Sequence, residues 1–156
     1  MKKLTAILLA AGITMGGAMA DDIVRTPAPG GFPISTVVEV PSDVTTYYLS
    51  GAVPPKLEDG TFARTTEEQT VGILNSIKKT LEEQGLTMGD IVKMQVYLVA
   101  DPDLGKMDFA GFMKGYAQFF GEGAETKLPA RSAFEVKGLA FPEWLIEIEV
   151  IAAKKK

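Results

Sequence analysis

The spacing of apolar residues changes several times along the chain, and each change marks an element. Residues 35–40 and 45–50 are short runs rich in Val, Thr and Tyr, separated by the turn signal Pro41-Ser42-Asp43. They predict two strands paired as a hairpin. Residues 51–64 carry Pro54, Pro55, Asp59 and Gly60 and read as a loop. The period then shifts to steps of three and four. Val71, Leu74, Ile77 and Leu81 face one way, with Ile73 beside them, and Lys78, Lys79, Glu82 and Glu83 face the other. That spacing predicts an amphipathic helix. Thr65 with Glu68, or Thr66 with Gln69, makes the capping box at its start. Glu67 and Glu68 suit the positive end of the helix dipole, and Gly85 is placed to end the helix in a left-handed cap.

Residues 91–100 (IVKMQVYLVA) are β-branched and aromatic enough for a long central strand, which Asp101-Pro102-Asp103 ends. Phe109, Phe112, Met113, Tyr116 and Phe120 fall on one broad face and predict a second helix over residues 107–121. At this spacing the aromatic stripe reads as core rather than as a cofactor box. Residues 130–136 and 144–153 are strands. In the second, Glu147 and Glu149 share one face, and Ile146, Ile148 and Val150 share the other.

The order β-β-α-β-α-β-β predicts an α+β fold, a mixed sheet with both helices on one face. No further element remains to cover the second face, so self-association into a ring-like homo-oligomer is expected. Residues 21–34, with Pro27, Pro29, Gly30, Gly31 and Pro33, read as an extended lead-in.

Residues 1–20 (MKKLTAILLAAGITMGGAMA) are an address rather than a structural element. Lys2 and Lys3 precede an uncharged apolar stretch, and Ala18-Met19-Ala20 has the small-x-small pattern of a cleavage site. The stretch is too short for a comfortable membrane span, which needs ~20 apolar residues. The expected division is a signal peptide (1–20), the extended segment (21–34) and one domain (35–156). The expected location is the periplasm, with no membrane attachment after cleavage.

Composition narrows the chemistry. The chain has 156 residues, no Cys and no His. Thiolate nucleophiles, disulfides, zinc ribbons, Ser-His-Asp triads and His-ligated metals are excluded. The net charge is −4. Removing residues 1–20 deletes two lysines and no acids, which makes the mature chain −6. Such a chain is a poor partner for nucleic acid phosphates.

From Pro129 onward the residues become recognisable. PARSAFEV, followed by FPEWLIEIEVIA, is similar to the C-terminal signature of the RidA (YjgF) family. Ser50-Gly51 followed by Pro54 resembles the family's Ser-Gly-x-x-Pro. Gly60, Gln69, Leu74-Asn75, the GDIVK run at residues 89–93, and Tyr116 with Phe119-Phe120 also stand where the family has them. The likeness runs in order from about Ser50 to Ala152.

The resemblance implies a chorismate-mutase-like homotrimer with sheets forming an inner barrel and ligand sites in clefts between subunits. It implies hydrolysis of 2-imino acids to 2-oxo acids and ammonia, with no metal or organic cofactor. The Arg of Pro-Ala-Arg-Ser, here Arg131, would hold the substrate carboxylate, a task that suits the fixed donor fork of a guanidinium. Glu147 would position water and handle protons. Main-chain groups at Gly51 and at Ala133, just after the arginine, would contact substrate. Three positions depart from the deaminating pattern: Ala133 stands where many members have Cys, Met113 where they have Asn, and Ile34 near a Tyr that closes the pocket. Binding of a small carboxylate without turnover is therefore the alternative function. The label endoribonuclease, which some members carry, fits poorly with the absent His and the acidic charge.

Overall fold

The computed structural model describes residues 23–155. The predicted signal peptide, residues 1–20, lies outside the described residues. The described chain forms β1 (Val24–Pro27), β2 (Ser35–Glu39), β3 (Val44–Tyr48), α1 (Thr66–Glu83), β4 (Ile91–Asp101), β5 (Lys106–Met107), α2 (Phe109–Tyr116), β6 (Ala130–Val136) and β7 (Ile146–Lys155). Short 3-10 turns occupy Pro29–Gly31 and Met88–Asp90.

The strands form one mixed sheet in the order β1-β2-β6-β4-β7-β3, with β5 paired to β4 alone. The β2–β6 and β6–β4 pairs are parallel, and the others are antiparallel. The predicted hairpin between residues 35–40 and 45–50 is not formed. β3 is matched along its length by β7, from Val44 opposite Lys155 to Tyr48 opposite Ile151. β2 pairs instead with β1, inside the segment read only as a lead-in. Pro27 concealed that strand, because proline argues against a ladder position. It falls at the last residue of an edge strand, where the register already shifts.

Both helices pack on one sheet face, against alternate residues of the two central strands. On that face Ile91, Met94, Val96 and Leu98 of β4 and Ile146, Ile148, Val150 and Ala152 of β7 are buried. Ile73, Leu74, Ile77 and Leu81 of α1 and Phe112 and Tyr116 of α2 cover them. Truncating any of these Leu or Ile residues to Ala costs about 2–5 kcal/mol.

The start of α1 is the Thr65–Glu68 capping box. The Glu68 amide donates to Thr65 Oγ1 at 3.2 Å, and the Thr65 amide donates to Glu68 Oε2 at 3.3 Å. The Thr65 hydroxyl, which donates to Glu68 Oε2 at 2.8 Å, and then the Thr65 amide hold the Glu68 carboxyl below its usual range. Gly85 follows the helix with φ +71°, the left-handed conformation that favours glycine.

α2 is shorter than the predicted 107–121. The Asp108 carboxylate accepts from the Gly111 amide at 2.8 Å and starts the helix there. Met107 pairs with Ala100 in β5 instead. Beyond Tyr116 the chain continues as turns to Gly121. Lys154 and Lys155, beyond the predicted end of the strand at residue 153, extend β7, and Lys154 Nζ donates to the Gly85 carbonyl at 2.7 Å.

Buried Gln69 ties loop to sheet. Its Nε2 donates to the Ala63 and Glu143 carbonyls, and its Oε1 accepts from the Leu145 amide, each at 2.8 Å. These bonds set the approach of the chain to β7 and so fix where Glu147 stands.

Candidate functional site

Alternation along β6 puts Arg131, Ala133 and Glu135 on the helix side of the sheet and Ser132 and Phe134 on the open side. Arg131 therefore points under α2. Its guanidinium carbon lies 4.3 Å from the Tyr116 ring centroid, 4.9 Å from Phe112 and 5.5 Å from Phe32. Nη2 donates to the Met113 sulfur at 3.2 Å, and buried Nη1 has no hydrogen-bond partner. Among the described residues no carboxylate pairs with this guanidinium. Burial lowers the Arg131 pKa, and the neighbouring Tyr116 partly opposes that shift. Burial also pushes the Tyr116 phenol up to about 12. Its hydroxyl donates to the Pro33 carbonyl at 2.9 Å, which anchors the lead-in over the site.

A cation this desolvated, ringed by aromatic faces, with the Met113 sulfur and the Tyr116 phenol as its polar neighbours, is short of an anion. The aromatic stripe of α2 is thus both core, as the spacing predicts, and part of the wall around Arg131. Phe32 was not foreseen. The position in the lead-in that reaches the guanidinium is Phe32 rather than Ile34.

A second group gathers on the opposite sheet face. β7 pairs Glu147 with Tyr97 and Glu149 with Gln95, so both carboxylates stand on the open side. Gly51 lies against Glu147, where a Cβ on Gly51 would collide with the carboxylate. A side chain on Gly51 would oblige the Glu147 carboxylate to swing away. Gln95 Nε2 donates to the Tyr97 hydroxyl at 3.1 Å, and that hydroxyl donates to Glu149 Oε2 at 3.1 Å. Partial burial, then the bond to Glu149 and the two nearby carboxylates, raise the Tyr97 pKa. Ser50 and Gly51 also border a cleft of about 530 Å³ at the free edge of β3.

One chain therefore brings Gly51 to Glu147, and Arg131 to the face that carries Ala133. It does not bring the two groups together. They occupy opposite faces of β6 and β7, with β4 between them, about 10 Å apart by strand spacing alone. Among the described residues no three His, Cys, Asp or Glu side chains converge in a way that would hold a metal ion. No helix among them is long and apolar enough to cross a membrane.

Fold and site define a class: an α+β protein with helices on one sheet face, a bare second face, and an unpaired guanidinium facing a helix. A family-level sequence profile described as Endoribonuclease L-PSP matches residues 30–154. A RutC family protein of Pyrococcus abyssi is 36% identical over 141 residues, covering 88% of this chain and all of the relative. A 2-iminobutanoate/2-iminopropanoate deaminase of Salmonella typhimurium is 38% identical over 106 residues, covering 68% of this chain and 77% of the relative. The crystal structure of a conserved Rid family protein of unknown function from Yersinia pestis superposes with a TM-score of 0.64. It is 27% identical and covers 85% of this chain and 98% of its own. The chain belongs to the RidA (YjgF) family.

Proposed function

We propose that the protein is an exported hydrolase that deaminates reactive 2-imino acids to 2-oxo acids and ammonia. Its sites would be shared between copies of a homotrimer. The observation that carries this reading is Arg131, a buried guanidinium with a free donor and no anionic partner. A small carboxylate satisfies that need with charge-assisted bonds. The name of the Salmonella relative supports the reaction class.

The separation of the two groups supports the assembly. Arg131 of one copy can meet Gly51 and Glu147 only if a second copy supplies them. The bare sheet face gives copies a surface on which to associate. Arg131 would fix the carboxylate, and Glu147 of the neighbouring copy would hold the attacking water. Water adds to the C=N carbon, and one of its protons passes to nitrogen. The C–N bond of the resulting carbinolamine then breaks, giving the 2-oxo acid and ammonia. Imines hydrolyse readily, so orientation and modest proton handling are enough. No metal or organic cofactor enters this scheme. Residues 1–20 carry the proposal of a periplasmic location.

A second reading, a carboxylate-binding protein without turnover, is favoured by the apolar Met113 and Ala133 beside the arginine. The test is a coupled assay in which an amino-acid oxidase generates 2-imino acids in situ. The deaminase accelerates loss of the imine, and Arg131→Ala abolishes that acceleration while the assembly persists. Carboxylate binding with no acceleration supports the second reading. Full activity of Arg131→Ala refutes the carboxylate role.

A further inference from the structure

We propose that Met113 is the specificity-determining residue of the Arg131 site, a thioether gate that selects acids bearing apolar side groups. The inference rests on the reading of Arg131 as the carboxylate holder. Nη1 is sealed from solvent without a partner, and Nη2 is capped by the Met113 sulfur at 3.2 Å. An acid therefore reaches Nη1 only when something over it moves, and competes with the Met113 sulfur for Nη2.

The four neighbours differ in freedom. Phe112 and Tyr116 are both fully buried in the core, and the Tyr116 hydroxyl is tied to Pro33. Phe32 is 42% exposed and forms the rim. Met113 is half-buried, has three rotatable side-chain torsions, and holds Arg131 only through a weak sulfur acceptor. A carboxylate is a far stronger partner for the guanidinium, so the thioether is the group that yields.

Once displaced, Met113 remains on α2 beside the bound acid and becomes a wall for its side group. Ala133, two residues from Arg131 on the same strand face, adds a second apolar surface. The contacts of the guanidinium in this chain include no side-chain amide or hydroxyl free to satisfy a polar substituent. A carboxamide or hydroxyl placed there loses its water without gaining a partner, whereas a branched alkyl or aryl group is accepted.

The test compares two 2-oxo acids of matched shape by calorimetric titration of the purified protein. One is 4-methyl-2-oxopentanoate; the other is 2-oxosuccinamate, whose carboxamide replaces the isopropyl group. The wild type binds the alkyl acid about tenfold or more tightly. Met113→Asn brings the two within about threefold or reverses them, and Met113→Leu restores the alkyl preference. Met113→Gln, closer in volume, carries the same comparison if the Asn variant unfolds.

Equal binding by the wild type, or an unchanged ratio in both polar variants, overturns the inference. If Arg131→Ala still abolishes binding in that case, the carboxylate role stands and only the role of Met113 fails. Binding that survives Arg131→Ala overturns the underlying reading as well, as does failure of both acids to bind the wild type.

Discussion

Arg131→Met removes a charge and keeps a flexible stem of similar reach, so it separates a ligand-holding arginine from a structural one. In the ligand-free fold the guanidinium gains a bond to the Met113 sulfur and the faces of three rings. Each cation–ring contact is worth ~0.5–1 kcal/mol, and up to ~2 kcal/mol when desolvated. Against that stands a burial cost of several kcal/mol that no carboxylate offsets. A thioether in the same aromatic surroundings carries no such cost. Stability should therefore stay level or rise by about 1–3 kcal/mol. For a chain of this size that is ~3–5 °C in Tm per kcal/mol, read at fixed protein concentration because assembly contributes. Carboxylate binding should fall about 100-fold or more, since hydrogen bonds to a charged group are worth ~1.5–3 kcal/mol each. Denaturation curves and calorimetric titration measure the two effects side by side. A loss of ~3–5 kcal/mol, the usual result of breaking a buried ion pair, would show that the charge holds the fold and refute the reasoning.

Gly51→Ala drives a methyl group into the Glu147 carboxylate. It should lower imine hydrolysis at least about tenfold with Tm shifted by only a few degrees; unchanged turnover would separate Glu147 from the chemistry. Thr65→Ala removes one half of the α1 capping box and should cost about 1 kcal/mol in urea denaturation, with activity intact. Tyr116 keeps its proton in the fold up to about pH 12. Its stabilising contribution is therefore complete below the unfolded pKa of ~10 and fades as pH rises through the folded value, a loss of about 2–3 kcal/mol. Tyr116→Phe should flatten that part of the stability-against-pH curve, and an unchanged slope would assign it to other groups. Finally, Arg131→Ala and Glu147→Gln variants, each inactive alone, should regain about one quarter of wild-type activity when unfolded and refolded together in equal amounts. No recovery would place Arg131 and Glu147 of a single copy in each site.

The helices were legible in the sequence because their signals are local. Thr65, Glu68 and Gly85 mark the ends of α1, and the steps among Leu74, Ile77 and Leu81 mark its buried face, which continues through Ile73 and Thr70 rather than through Val71. β4 and β7 were legible for the same reason, as runs whose alternation survives in the structure. The pairing of β2 and β3 was not. A turn signal shows that the chain reverses, but the partner of a strand depends on which distant strand offers a free edge. For β3 that edge belonged to β7, more than a hundred residues away.

The site shows the same division at a finer scale. Period two along β6 and β7 gives each side chain a face only after the register between the strands is known. Read alone, β7 sets Glu147 on the face opposite Ile146 and Ile148, whereas β6 does not show which face Arg131 takes. The parallel β6–β4 pairing and the antiparallel β4–β7 pairing then set Arg131 beside Met94, on the buried side, and Glu147 beside Tyr97, on the open side. The central strand β4 thus divides the candidate site into two halves, each built from short-range contacts: a guanidinium under α2, and a carboxylate against Gly51. Each half is complete in residues and incomplete in chemistry. The first has a donor without an acceptor, and the second has a carboxylate with nothing to act on. Under the proposed assembly, association would resolve both: the bare face would let copies meet, and their meeting would let the two halves share one ligand.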